Sequence, residues 1–319
     1  MSVQPGRFCP AHYHYRPRAL ARGPEVQSDP LIIAGGLYGN PEALDILESR
    51  ARSEDATLIF NGDFHWFDTE PATFARLQRR VLGHHAIAGN VEAELAEPSG
   101  AGCGCAYPEQ VDDTAVEHAN AIMARLQGTP TPAERRALGE LPYHLRARVG
   151  GHRIAIIHGD PESLAGWGLD VAAFEHETSV ERLTAWFHEA RADVFACSHT
   201  CLPHARALEF DSRDRAVINN GAAGMPNFAG DPRGLATRIA TRPAPDALYG
   251  IALDGVYVEA IAIRYAHDAW LERFESWWPP NSPAHIAYHR RLTAGPAFAR
   301  AGALGPGARP SAAPGAPPT

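Results

Sequence analysis

The chain has 319 residues, 45% of them hydrophobic, and is therefore long enough to bury a sizeable core. Its net charge is −8 and its basic residues are all arginine, which argues against a nucleic-acid polymer as partner because a polyanion requires a concentrated positive surface. No apolar run approaches the roughly 20 residues that span a bilayer, and residues 1–7 contain no apolar leader. These features predict a cytoplasmic protein with no membrane partner.

The composition divides the chain into three segments. Residues 1–29 are rich in Pro, Arg and His without a period, which indicates an N-terminal arm laid over the body. Residues 30–295 form one domain. Residues 296–319 are a Gly, Ala and Pro tract with little to bury, so we expect a disordered tail.

The first half of the domain alternates short apolar runs with helical patterns, which is typical of a buried sheet flanked by helices. The predicted strands there are residues 30–34, 57–60 and 85–88, and the predicted helices are residues 41–52 and 71–82. Residues 103–142 are predicted to be an insertion that contains two helices, 112–127 and 131–138. Because loops between ligand-bearing strands line a site, we expect this insertion to form a helical cap near the cleft.

The second half of the domain begins with a hairpin. Apolar runs at 145–149 and 152–157 flank Gly150-Gly151, a dipeptide that suits the positive φ angles of a tight turn. The later predicted elements are a helix at 179–190 and strands at 193–196, 205–210, 216–219, 235–241, 247–253 and 256–264. The predicted fold class is therefore α/β, a four-layer α/β/β/α sandwich of two mixed sheets with a helical cap insertion.

Polar residues of metal-ligand types follow four of the predicted strands. Asp63, Asn90, His158 and His199 each come directly after an apolar run. Ligands of open α/β sheets bind beyond the carboxyl ends of the strands, so these four side chains are expected to converge.

The order of these motifs resembles the calcineurin-like metallophosphoesterase superfamily, in particular its small bacterial phosphodiesterase branch. The resemblance covers residues 31–273 and includes His199-Thr200-x-x-Pro203 and Asn219-x-Gly221. It implies two metal positions bridged by the Asp of the Gly-Asp motif. The resemblance assigns Asp63, Asn90, His158 and His199 to the second position, and all four are present.

The first metal position departs from the family pattern. The expected Asp-x-His-Gly-Asn appears as Gly36-Leu37-Tyr38-Gly39-Asn40, and the final His of Gly-His-x-His is Cys201. These replacements predict one divalent ion per chain, with Zn, Fe or Mn favoured. The alternative is a first ion held by substitute ligands, for which Cys201, Tyr38 and His65 are the candidates.

The same pattern suggests roles in catalysis. His65 is the candidate proton donor because imidazole titrates near neutrality and the usual leaving-group His is replaced by Val91. Asn40 and backbone amides near Gly36 are the candidate phosphate-binding groups. The expected function is hydrolysis of a phosphate ester by metal-activated water, with a phosphodiester or nucleotide-like small molecule as substrate.

Two alternatives remain open from the sequence. One is a non-hydrolytic descendant that binds a phosphorylated ligand, and the other is a mononuclear iron or zinc enzyme of different chemistry on the same scaffold. The sequence also leaves open a homodimer, for which the aromatic set near residues 270–278 could supply packing. The cysteines are interpreted as inert or occasionally oxidised thiols; they are Cys9, Cys103, Cys105, Cys197 and Cys201. The alternative is a thiolate metal site formed by Cys103, Cys105, Cys197 and Cys201, which Cys9, His12 and His14 could join.

Overall fold

The computed structural model describes residues 4–23, 25–176, 178–210 and 213–311. The strands in these residues are β1 (Glu25–Gln27), β2 (Leu31–Ala34), β3 (Thr57–Asn61), β4 (His85–Ile87), β5 (His144–Val149), β6 (His152–Ile157), β7 (Val194–Cys197), β8 (His204–Phe210), β9 (Arg213–Asn219), β10 (Gly234–Ala240), β11 (Ala247–Leu253), β12 (Val256–Ile263) and β13 (Arg309–Pro310). The helices are α1 (Pro41–Glu54), α2 (Pro71–Val81), α3 (Asn90–Ala96), α4 (Asp113–Leu126), α5 (Pro132–Gly139), α6 (Val171–His176), α7 (Val180–Ala190), α8 (His267–Trp277) and α9 (Pro283–Ala294).

The strands form two mixed sheets. One has the order β1-β5-β6-β7-β9-β8 and the other β13-β11-β12-β10-β2-β3-β4. Strands β2, β3 and β4 run parallel, as do β6, β7 and β9. Strand β5 pairs antiparallel with β6, and β10 pairs antiparallel with β12. The predicted pair of mixed sheets is therefore confirmed.

The alternation of side chains along β2 shows how the layers are built. Leu31 and Ile33 pack between the two sheets, whereas Ile32 and Ala34 pack beneath the helices. Because successive side chains of a strand point to opposite faces, a strand that is apolar at every position is covered on both sides. The core between the sheets joins β3 and β4 of one sheet to β6, β7 and β9 of the other.

Helices cover the outer face of each sheet. On one side Leu183, Trp186 and Phe187 of α7 pack against alternate residues of β6 and β7. On the other side α1, α2 and α8 share one core, which includes the predicted aromatic set Trp270, Phe274, Trp277 and Trp278. These four rings are at most 8% exposed, so they pack inside the chain instead of offering a dimer face. The predicted four-layer sandwich is confirmed.

The N-terminal segment lies against the body. Strand β1 pairs in parallel with β5, and Tyr13 and Leu20 are buried. The hydroxyl of Tyr13 donates to a carboxylate oxygen of Glu94 at 2.9 Å, and that of Tyr15 donates to the carbonyl oxygen of Asp160 at 2.8 Å. These contacts fix the segment beside α3 and the loop after β6.

The C-terminal tract requires a correction. Residues 296–311, expected in the disordered tail, contain a 3₁₀ helix, Arg300–Ala303, and strand β13, which pairs with β11. Ala303 is fully buried, and Leu304 forms a bridge with Ala205. The expectation was wrong because a tract with little apolar area can still be held by backbone pairing and by burial of a small side chain such as Ala303. Residues 312–319 lie outside the described part of the chain.

The insertion at 103–142 carries helices α4 and α5, close to their predicted bounds. Helix α5 packs against α3, and α4 packs against α9. No helix in the described residues is long and apolar enough to cross a membrane.

Candidate metal centre

Two glycine turns bring the ends of β3 and β4 into close contact. A Cβ atom on Gly62 would lie 2.6 Å from the backbone nitrogen of Gly89, and one on Gly89 would lie 2.3 Å from Oδ1 of Asp63. Neither distance leaves room for a side chain. Asp63 itself has a left-handed backbone, with φ of 54°, which is uncommon for a residue other than glycine. Glycine at both positions therefore allows Asp63 and Asn90 to approach each other.

The four residues at the strand ends meet around the imidazole of His158. Its Nε2 atom lies 3.4 Å from Oδ1 of Asp63, 3.1 Å from Oδ1 of Asn90 and 3.2 Å from Nδ1 of His199. All four residues are at most 7% exposed. The structure thus brings together the four residues that the sequence assigned to the second metal position.

Backbone carbonyl groups fix the tautomer of each imidazole. Nδ1 of His158 lies 2.9 Å from the carbonyl oxygen of Asn61, and Nε2 of His199 lies 3.0 Å from that of Cys105. Since a carbonyl oxygen only accepts hydrogen bonds, these two nitrogens carry the protons. In the neutral rings, the lone pairs of His158 Nε2 and His199 Nδ1 therefore face the same point, which is the arrangement that second contacts impose on metal-binding histidines.

The electrostatics of the cluster favour a cation at that point. Burial opposes the charge of Asp63, but the imidazoles of His158 and His199 outweigh this effect and lower the pKa of the carboxyl group. Burial likewise opposes protonation of His158, whereas Asp63 raises its pKa. Burial, together with His158, lowers the pKa of His199 to about 3. The Asp63 carboxylate is thus ionised, and the imidazole of His199 stays neutral at physiological pH.

The geometry fits a divalent metal ion. Ligands about 2.0–2.2 Å from a zinc ion are separated from one another by roughly 3.0–3.5 Å, which matches the three distances from His158 Nε2. Two imidazole nitrogens with a carboxylate and an amide oxygen suit Zn, Fe or Mn. Asp63, Asn90, His158 and His199 are therefore the residues that would hold the ion.

Comparison with known proteins identifies the fold. No family model and no curated protein matches the sequence. Among solved structures, the hypothetical protein PH1004 from Pyrococcus horikoshii OT3 is 14% identical, with 85% of this chain and 100% of that chain covered and a TM-score of 0.57. A metallophosphoesterase from Sphaerobacter thermophilus is 18% identical, with coverages of 84% and 100% and a TM-score of 0.51. The chain has the calcineurin-like metallophosphoesterase fold.

One buried residue beside the metal centre was missed by the sequence analysis. Glu92 accepts hydrogen bonds from the backbone nitrogens of Asp63 and Gly89, both at 2.8 Å, and also from those of Phe64 and His65. Burial, together with the charge of Asp63, raises the pKa of Glu92 to about 7. Its carboxyl group thus joins the two glycine turns. An acidic residue two positions after Asn90 was the available sequence signal.

The position that the family resemblance assigns to a first metal ion is filled by side chains that form a hydrogen bond with each other. The hydroxyl of Tyr38 lies 2.6 Å from Sγ of Cys201. Burial and the neighbouring Cys201 raise the pKa of Tyr38 well above its ordinary value, and burial also raises the pKa of Cys201, so both groups remain protonated and uncharged at neutral pH. A Cβ atom on Gly36 would lie 2.9 Å from Cε2 of Tyr38. The tyrosine ring therefore occupies the space that a side chain at position 36 would need.

The role predicted for His65 is corrected by the structure. The ring is fully buried, its Nδ1 lies 2.6 Å from Oδ2 of Asp68, and it stacks on Phe74 with ring centroids 3.7 Å apart. It is not among the residues that line the pocket at the metal centre. His65 is thus placed neither to protonate a leaving group nor to replace a metal ligand. Its spacing from Asp68 favoured a hydrogen bond inside the turn.

The predicted phosphate-binding groups are also corrected. Oδ1 of Asn40 accepts a hydrogen bond from the backbone nitrogen of Ala43 at the start of α1, and its Nδ2 donates to the carbonyl oxygen of Gly224, each at 2.9 Å. The backbone nitrogen of Gly36 donates to the carbonyl oxygen of Gly62. Both groups are buried and already paired, so neither is free to bind phosphate.

A pocket of about 160 Å³ opens onto the metal centre. Asp63, Asn90 and His199 form part of its lining, together with Tyr38 and Cys201 from the first position. The sequence did not assign a substrate pocket to the other lining residues, which are Trp66, Val91, Cys105, Tyr107, Trp167, Thr200, Tyr288 and Arg291. The loop 103–107 is the part of the insertion that reaches the pocket, whereas Tyr288 and Arg291 come from α9. No spacing along the sequence connects α9 with the strand ends, so only the fold reveals this contribution.

Among the described residues, the cysteines do not form a thiolate cluster. Cys103 and Cys105 are joined by a disulfide bond, which is compatible with the interpretation of these residues as oxidised thiols. Cys197 is a buried free thiol, and Sγ of Cys9 lies 3.2 Å from the hydroxyl of Ser163. Among the described residues, no group of three potential ligands includes Cys9, His12 or His14.

Proposed function

We propose that this chain is a metal-dependent hydrolase of small phosphate esters that uses a single metal ion. The observation that carries the proposal is the convergence of His158 Nε2 and His199 Nδ1 with the oxygens of Asp63 and Asn90 at the floor of a pocket. A divalent ion bound there would polarise a phosphoryl oxygen and lower the pKa of a water molecule. The likeness in fold to a metallophosphoesterase supports the same chemistry.

Arg291 is the group proposed to bind the phosphate. It is the one arginine among the described residues that line the pocket. Its Nη2 donates to the carbonyl oxygen of Cys201 at 2.9 Å, which anchors the guanidinium group beside the metal centre. A fixed guanidinium group matches the geometry of phosphate oxygens. In the proposed reaction it neutralises charge on the phosphoryl group and holds the ester in the pocket.

The shape of the pocket favours a small ester with an apolar or aromatic leaving group. The rings of Tyr107 and Trp167 form one aromatic pair in the lining, with centroids 5.8 Å apart. The rings of Trp66 and Tyr288 form a second pair, with centroids 6.5 Å apart. Aromatic walls exclude water and accept flat apolar groups, as binding pockets for small molecules commonly do. We therefore propose a phosphodiester or nucleotide-like substrate rather than a polymer.

Among the described residues that line the pocket, the only histidine is His199, a proposed metal ligand, so no second imidazole is placed to protonate the leaving group. The position that follows Asn90 is Val91, which lines the pocket, and His65 is buried away from it. Hydrolysis without a general acid forgoes the 10²–10⁴-fold that proton transfer typically contributes. We therefore propose that esters with acidic leaving groups, such as nitrophenyl esters, react much faster than alkyl esters.

This missing donor favours a second candidate function, which is binding of a phosphorylated ligand without hydrolysis. The uncharged pair Tyr38 and Cys201 in the first metal position supports this candidate as well. The two candidates share the metal and Arg291 but differ in turnover.

The test is hydrolysis by chelator-treated protein reconstituted with one equivalent of Zn²⁺, Fe²⁺ or Mn²⁺, assayed with aryl phosphomonoesters and phosphodiesters. We expect metal-dependent turnover that Arg291→Ala reduces by roughly 10- to 100-fold in kcat/KM, since a hydrogen bond to a charged group contributes about 1.5–3 kcal/mol. Arg290→Ala is the matched control because the side chain of Arg290 is exposed on the same helix.

The outcomes separate the candidate functions. Metal-dependent turnover that is lost with Arg291 but retained in the Arg290 variant supports the hydrolase. Metal binding with no turnover of any ester, combined with Arg291-dependent binding of a phosphate ester, supports the ligand-binding protein instead. Turnover that is unchanged after removal of metal contradicts the proposal in both forms.

A further inference from the structure

A second group of potential metal ligands lies on the surface, between α8 and α9. It consists of Glu275, His285 and His289, whose ligand atoms all lie within 4.8 Å of one another. Nε2 of His289 is 3.0 Å from Oε1 of Glu275. The rings of His285 and His289 stack with centroids 4.3 Å apart and planes inclined by 17°.

The helix geometry explains why these imidazoles face the same way. His285 and His289 are four residues apart on α9, so they lie one above the other on one face of the helix. Glu275 reaches them from the last turns of α8. Both imidazoles are only partly buried, which leaves them accessible to an ion from solution.

We propose that Glu275, His285 and His289 bind a zinc-class divalent ion, such as Zn²⁺, Cu²⁺ or Ni²⁺. Two imidazole nitrogens and one carboxylate oxygen form a three-ligand set that leaves a fourth tetrahedral position for water. Imidazole donors select these ions over Mg²⁺, which prefers a shell of oxygen ligands. The site shares no residue with the metal centre at Asp63 and does not depend on the proposed hydrolase function.

Binding at this site would connect the helix that supplies part of the pocket to its neighbour. Tyr288 and Arg291 of α9 line the pocket, and His285 and His289 lie on the same helix. An ion held jointly by α8 and α9 would fix the position of α9 relative to α8. The surface site is therefore expected to stabilise α9, which carries Arg291, the proposed phosphate-binding group.

The experiment is a calorimetric titration of chelator-treated full-length protein with ZnCl₂, for wild type, His289→Ala, Glu275→Gln and His85→Ala. We expect two classes of zinc site in wild type. His289→Ala should lose one class completely, and Glu275→Gln should weaken that class about tenfold, or about 1.4 kcal/mol. His85→Ala is the matched control because His85 is an exposed histidine outside both ligand groups.

The result that overturns the proposal is a zinc isotherm for His289→Ala that is identical to that of wild type. An equal loss of zinc in the His85 control, or displacement of the zinc by an equal concentration of Mg²⁺, would also overturn it. If the metal centre at Asp63 does not bind zinc, the class of site that depends on His199 will be missing from the isotherm. The class that depends on His289 will remain, so this outcome is distinguishable from failure of the surface site. A Co²⁺ absorption spectrum of each variant provides the same readout without calorimetry.

Discussion

The two positions that the family resemblance assigns to metal ions differ in how their side chains use their hydrogen-bonding atoms. In the second position, carbonyl oxygens of Asn61 and Cys105 pair with one nitrogen of His158 and His199 respectively and leave the other nitrogen of each ring facing a shared point. In the first position, Tyr38 and Cys201 bond to each other. One position is thus oriented toward a ligand, whereas the other is satisfied by the chain itself.

The comparison shows that the position beside Gly36 needs no ion to compensate its side chains. The tyrosine ring fills the volume next to Gly36, and the raised pKa values of Tyr38 and Cys201 leave no charge that needs a counterion. Burying an unpaired charge is costly, so the uncharged partners Tyr38 and Cys201 stabilise this position without a counterion. The difference between the two positions can be tested by altering each in turn.

The largest expected effect is on the intact position. His199→Ala removes one of the two imidazole donors, so bound metal should fall from about one ion per chain to nearly none and any hydrolysis should fall by at least about a hundredfold. Elemental analysis after dialysis against metal-free buffer measures the bound metal, and an ester assay measures the hydrolysis. Both should use a His289→Ala background so that the proposed surface site does not contribute.

Cys201→Ser is the control for this comparison, and we expect it to retain the ion. Two ions per chain in the His289→Ala background, falling to one with Cys201→Ser, would show that the first position also binds metal.

The second largest effect is expected at the position filled by Tyr38 and Cys201. Gly36→Asp should lower the free energy of unfolding by about 2–3 kcal/mol, because the new Cβ would contact the Tyr38 ring at 2.9 Å and the backbone there has φ of 59°. Thermal or urea unfolding measures this change. Adding Tyr38→His should recover part of the loss by removing the ring. Equal stability of Gly36→Asp and wild type would mean that the ring does not fill the position.

Glu92 should influence the intact position through the two glycine turns. Its pKa in the folded protein, about 7, lies above its ordinary value of 4.5, so the folded state binds the proton more tightly than the unfolded state does. The resulting stability is present below about pH 4.5 and is lost as the pH rises toward 7. In metal-free protein, the stability of wild type relative to Glu92→Gln should therefore decline across this window.

Urea unfolding at a series of pH values from 4 to about 8 measures that difference. Glu92→Gln should also weaken metal binding by about 10- to 100-fold, since it supports the turns that hold Asp63 and Asn90. A pH-independent difference in stability would show that Glu92 does not titrate in this range.

The smallest effect is expected from Tyr38→Phe. It removes the hydrogen bond between Tyr38 and Cys201, which should cost about 1 kcal/mol of stability, and it should leave metal content unchanged. The measurement is a urea midpoint together with elemental analysis. Loss of metal from this variant would mean that the tyrosine hydroxyl contributes to the intact position.

Much of the fold was predictable because its signals are local. The apolar runs around Ile33, Ile59 and Ile154 are continuous, and each ends in glycine or a polar residue, so these strands were evident. Helices α3, α6, α8 and α9 were not predicted. Helix α3 begins at Asn90 itself, and α9 carries only two fully buried residues, Ala284 and Leu292, so its apolar period is weak.

The sequence by itself determined which residues stand at the four strand ends, since a strand followed by Asp63, Asn90, His158 or His199 places that side chain at the sheet edge whatever surrounds it. Only the tertiary structure decided which of their atoms are free, that Tyr38 fills the neighbouring position, that His65 pairs with Asp68, and that α9 completes the pocket. The physical reason is that hydrogen-bond partners and burial depend on segments far apart in the chain, such as the Cys105 carbonyl that orients His199.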